Sequence, residues 1–128
     1  MSVPPSFVPR RLLRVPGFFG EQEDVEWKLA RDVEGAVRLA RAREQHDLAF
    51  VLHRRRLELE RSVPDIAAHL GVPRGNLVSK LTGRAPATEG DLIRWCWFLD
   101  EKRRSYRPED LLEHPERTYV PRLSIRRP

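Results

Sequence analysis

Apolar positions recur along this chain with helical spacing, in stretches separated by Pro and Gly. From 22 to 45, QEDVEWKLARDVEGAVRLARAREQ, the stripe Val25, Leu29, Val33, Ala36, Val37 and Ala40 has the period of one helix face, with Trp27 and Leu39 off its centre. Acidic residues crowd the start of this stretch and arginines its end, as the helix dipole favours. The pattern predicts one amphipathic helix over 22–45. Its stripe needs a cover, either the rest of the molecule or the same helix in a second chain. A further helix is predicted from His46 to Glu60, with Leu48, Phe50, Val51, Leu52, Leu57 and Leu59 available for a core.

Ser62 to Arg84, SVPDIAAHLGVPRGNLVSKLTGR, reads as two short helices around a tight turn. Ser62 and Asp65 have capping-box spacing. Ile66, Ala67 and Leu70 share a face of the first helix, and Ala67 is small enough for a second helix to cross closely. Gly71 stands where a left-handed residue ends the first helix, Pro73 suits the first position of the next, and Gly83 stops it. Leu77 and Leu81 give the second helix a buried stripe, and Arg74, Gly75, Asn76, Ser79 and Lys80 lie nearer the outside. Thr88 and Asp91 repeat the capping-box spacing and open a helix running through Arg104. From Leu92 to Leu99 that helix is apolar nearly all round, so the 22–45 helix, a terminal arm or a second subunit must cover it, unless one Trp simply faces solvent.

Both ends read differently. Residues 1–21 contain Pro4, Pro5, Pro9 and Pro16, which forbid a continuous helix, and Arg10, Arg11 and Arg14 precede any acidic residue. An extended basic arm follows, which either lies along a polyanion or packs Leu12, Leu13, Phe18 and Phe19 on the rest of the chain or on a partner subunit. Residues 105–128 form a Pro- and Arg-rich tail, with a short helix opened by Arg107 to Asp110 and an extended TYVPRLSIRRP carrying Arg122, Arg126 and Arg127.

Composition narrows the chemistry. A length of 128 residues gives one compact domain with extensions, and the net charge of +5 suits a polyanionic partner. A single cysteine, Cys96 between Trp95 and Trp97, excludes an internal disulfide and reads as buried filler in a reducing cytoplasm. No apolar run is long enough to cross a membrane, and the start has no secretory h-region. His46, His53, His69 and His114 lack metal-ligand spacing, and no Gly-rich phosphate loop is present. The expectation is a protein without enzymatic activity, metal or cofactor.

The segment around the two short helices resembles the lambda-repressor-like (Cro-type, XRE family) helix-turn-helix DNA-binding domain. Ala67, Gly71 with Val72, Leu77 six residues after that Gly, and the closing Gly83 carry the resemblance, and the flanking LAFVLHRRRLELERS and RAPATEGDLIRWCWFL extend it over roughly 47–100. It implies an all-α bundle, with the DNA-binding domain at 46–104 and the 22–45 helix as an addition. It also implies that helix 73–82 enters the major groove of double-stranded DNA, where Arg74, Gly75 and Asn76 face base edges and Ser79 lies one turn on. Arg pairs bidentately with guanine and Asn with adenine. Lys80, Thr82 and Arg84 would hold phosphates, Ser62 at the start of the first helix belongs to the same face, and at least one of Arg54, Arg55 and Arg56 would flank the backbone. Val63 and Pro64 depart from the family's usual phosphate clamp, and Pro73 replaces its usual Ser or Thr cap.

The expected function is therefore a sequence-specific transcriptional regulator, a bacterial or phage repressor working as a homodimer in the cytoplasm on the nucleoid. Two alternatives stay open. One is an antitoxin-like or scaffold module that binds a protein through the 22–45 or the 91–104 helix. The other is an architectural DNA binder with little sequence preference.

Overall fold

The computed structural model describes residues 7–113. The expected extended segment at 118–128, with Arg122, Arg126 and Arg127, lies outside them. Among the described residues the protein is all-α, with four helices: α1, Val33–Glu58; α2, Val63–Leu70; α3, Arg74–Leu81; and α4, Glu89–Leu99. None is long and apolar enough to cross a membrane.

The long helix α1 is the axis of the molecule, 26 residues and about 39 Å long, and α3 and α4 both pack on it. It differs from the two helices predicted over 22–45 and 46–60. Asp32 caps it, its carboxylate accepting from the Gly35 N–H at 2.7 Å, and the chain then runs without a break past residue 45. Residues 22–32 are not helical. They pair instead, Trp27 across an antiparallel bridge with Leu13 and Ala30 across a parallel bridge with Leu112.

The buried face also differs from the predicted stripe. Leu29, Val33 and Val37 are exposed, whereas Ala36, Leu39, Ala42, Ala49 and Leu52 are buried. Between them Glu44, Gln45 and His46 are buried as well, so a polar patch interrupts the face that hydrophobic periodicity would have to find. Leu48 and Leu52 enter the core as expected, and Leu57 and Leu59 do not.

The two short helices follow the local rules. Ser62 and Asp65 form the reciprocal capping box, with the Asp65 N–H donating to Ser62 Oγ at 3.2 Å. Gly71 ends α2 at φ 74, the left-handed conformation only Gly adopts without strain. Pro73 is the cap of α3 and not its first helical residue. Ile66, Ala67 and Leu77 are buried where α2 and α3 meet. Thr88 and Asp91 build the second capping box, but α4 stops at Leu99, five residues before the expected Arg104, because Asp100 turns left-handed at φ 56. Trp95 and Cys96 are buried, and Trp97 is 79% exposed.

The N-terminal segment is part of this core. A short 3-10 turn at Pro9–Leu12 leads to Leu13, which is fully buried, and a second at Pro16–Phe18 leads to Phe19, 2% exposed. Phe19, Trp27 and His46 meet edge to face, with ring centroids 5.3 to 6.4 Å apart. The packing option for the arm is the one realised for Leu13 and Phe19, and Phe18 stays exposed. Each fully buried Leu or Phe contributes roughly 1.5–3 kcal/mol.

Candidate nucleic-acid interface

The end of α3 is held by side chains from α1. Gln45, 2% exposed, donates its amide N–H groups to the carbonyls of Lys80 at 2.7 Å and Ala85 at 3.0 Å, and its Oε1 accepts from the Ala87 N–H at 2.8 Å. The loop from Lys80 to Ala87 is thereby tied to α1 through three backbone groups. The next residue, His46, accepts the Gly20 N–H on Nδ1 at 2.9 Å. Burial is the main influence on the His46 imidazole and holds its pKa below the ordinary value; nearby Asp47 and the Glu23 and Gln22 backbone work against this, and Arg43 adds to it. Gly20 and Phe19 then meet α3 and its exit. A Cβ on Gly20 would lie 2.5 Å from the Leu81 carbonyl oxygen, and one on Gly83 would lie 2.6 Å from the Phe19 ring.

Against this rigid backing the predicted site residues divide. Arg74, Gly75 and Asn76 are exposed on consecutive positions at the N-terminus of α3, which has no side-chain cap. Arg74 makes no ion pair among the described residues, and nothing lies within 4 Å of where a Gly75 Cβ would stand. The fold therefore gives no packing reason for a helical glycine that costs about 1 kcal/mol relative to Ala. Arg84, just past the C-terminus of α3, is likewise exposed and without an ion pair among the described residues, beyond the far end of a helix about 12 Å long.

Lys80 and Thr82, expected to hold phosphates, both have partners within the fold. Lys80 Nζ donates to Asp91 Oδ2 at 2.6 Å, and its side chain is only 13% exposed. Burial disfavours the Asp91 carboxylate, but hydrogen bonds from Lys80 and Thr88 outweigh it and hold its pKa below the ordinary range. The Thr82 hydroxyl donates back to the Val78 carbonyl at 2.8 Å. Ser79 is half-buried, and its carbonyl accepts the Arg84 N–H at 2.8 Å. Ser62 is exposed, with its hydroxyl engaged in the α2 cap.

The arginine run divides three ways. Arg54 stacks over Phe50, Arg55 pairs with Glu58 at 3.6 Å, and Arg56 donates to the Arg61 carbonyl at 3.3 Å. Gln45 was invisible to sequence reasoning, because a buried Gln reads as a surface residue when only its polarity is known, whereas packing of Phe19 on the rest of the chain was one of the two readings of its segment. Among the described residues no group of three or more His, Cys, Asp or Glu side chains could hold a metal ion. Set against family models, curated proteins and solved structures, the chain matches none of them.

Proposed function

We propose that the protein binds double-stranded DNA sequence-specifically as a Cro-type helix-turn-helix regulator, reading the major groove with α3. The observation that carries this is the row Arg74, Gly75 and Asn76, exposed and projecting from the first turn of a helix whose far side is anchored by buried Leu77. From that position Arg74 pairs bidentately with guanine and Asn76 with adenine, each pair discriminating by about 1–3 kcal/mol. Gly75 lets the backbone approach the groove. Arg84 holds a phosphate at the other end of α3, which sets register without reading sequence. Occupying an operator would block transcription sterically, and a symmetric pair of chains would double the length read.

Selection of bound duplexes from a random pool tests this directly. Wild-type protein enriches a motif, and the Arg74→Ala, Asn76→Ala double variant loses the enrichment while retaining weak, salt-sensitive binding. Equal, unenriched binding by both proteins would sink the specific reading in favour of an architectural role.

A further inference from the structure

We propose that the N-terminal segment is a pre-assembled half of the DNA-binding surface, with Arg10 and Arg11 completing a phosphate clamp begun by Arg84. This rests on the DNA-binding reading above and extends it to a surface outside the two short helices. The Arg10 N–H donates to the Gly83 carbonyl at 2.9 Å. Standard peptide dimensions then place the Arg10 and Arg84 Cα atoms within roughly 7 Å of each other. Burial along the turn reads Pro9 buried, Arg10 half-buried, Arg11 exposed, Leu12 half-buried and Leu13 buried, so Arg11 is its outward point. Neither Arg10 nor Arg11 makes an ion pair among the described residues, and no acidic residue precedes Glu21 in the chain. Three arginines with no carboxylate partner among the described residues therefore have their backbones close together where the chain leaves α3. A polyanion is the partner this charge fits.

Arg14 belongs to a different surface. Its N–H donates to the Glu26 carbonyl at 3.0 Å, and it lines one cleft with Asp24 and Glu26. The segment thus has one end tied to the exit of α3 by Arg10 and another whose Arg14 lines a cleft with two acidic residues, without an ion pair to either among the described residues. Its seat is fixed before any partner arrives, by Phe19 on Gly83, Gly20 on Leu81 and the His46 hydrogen bond to Gly20. Contacts made from a seat already ordered carry little entropic cost on binding.

The test is the salt dependence of binding to two duplexes, the motif enriched by wild-type protein and one of unrelated sequence. Each lost phosphate contact lowers the slope of log K against log salt by about 0.9. Arg10→Ala, Arg11→Ala is expected to lose about two units of slope and about tenfold in affinity at ~0.1 M salt on both duplexes, with the preference between them intact. Arg11→Ala alone, at an exposed position, is expected to lose about one unit, and Arg14→Ala none. Thermal melting of each variant checks the fold. Slopes unchanged in the Arg11→Ala protein, or lowered as much in Arg14→Ala, would overturn this proposal while leaving α3 readout standing. Failure of the wild type to bind either duplex would overturn both.

Discussion

The surroundings of His46 favour its neutral form. Its Nδ1 is committed to the Gly20 N–H, its ring packs edge to face on both Phe19 and Trp27, and the residue is 1% exposed. Protonation would put a second donor against the Gly20 N–H and charge a buried ring. Asp47 and Arg43 on α1 and the Glu23 and Gln22 backbone also face it, but burial dominates and lowers its pKa from 6.5. The unfolded chain therefore binds the proton more readily than the folded one. Between the lowered folded value and about 6.5, stability rises with pH, is complete above that window, and is lost as pH falls through it. Urea unfolding at about pH 7.5 and about pH 5.5 should show a lower midpoint in acid for the wild type. A His46→Asn variant, whose amide oxygen can take the Gly20 N–H without titrating, should show a smaller difference. Equal differences in the two proteins would remove His46 as the cause.

Two glycines with nearly the same backbone do different work for the elements they end. Gly71, at φ +74, has nothing within 4 Å of the place an added methyl would occupy, so Gly71→Ala adds only left-handed strain, about 1–2 kcal/mol. Gly83, at φ +75, would bring a Cβ to 2.6 Å from the ring of buried Phe19, and overpacking adds about 1–3 kcal/mol to the same strain. Chemical denaturation should rank Gly83→Ala clearly below Gly71→Ala, and equal losses would mean that Phe19 is not seated on that turn. The contrast marks the reach of local sequence rules. Capping boxes at Ser62 and Thr88 and the left-handed Gly71 are set by neighbours three or four residues away, so α2 and α3 were legible nearly to their ends and α4 at its start. The start of α1 was not. Asp32 caps it while residues 22–32, which carry a respectable helical pattern, are drawn into bridges with Leu13 and Leu112 that no local rule encodes. The exposure of Arg74, Gly75 and Asn76 was legible for the same local reason, and the engagement of Lys80 by Asp91, eleven residues away, was not.

For the molecule as a whole, the sequence pattern and the packing rank two leucines in opposite order. Leu29 lies on the regular stripe of a predicted helix, and Leu13 lies in a Pro-rich basic segment that looks detachable. In the fold Leu29 is 50% exposed, and Leu13 is fully buried in the cluster that also holds Leu48, Ile66 and Leu77. A core built this way spans the chain from its N-terminal segment to α4, so the segment cannot be released without opening the surface on which α3 rests. Leu13→Ala should cost about 2–5 kcal/mol through lost burial and the cavity left behind. Leu29→Ala, at a half-exposed site, should cost about 0.5 kcal/mol. Urea midpoints of the two variants against wild type decide between the pictures. A large loss for Leu13→Ala, with duplex binding lost at the same denaturant concentration as helical structure, makes the N-terminal segment and α3 one cooperative unit. The reverse ranking, with Leu13→Ala near wild type, would return the segment to a loose arm and remove the rigid seat on which the Arg10 and Arg11 clamp depends.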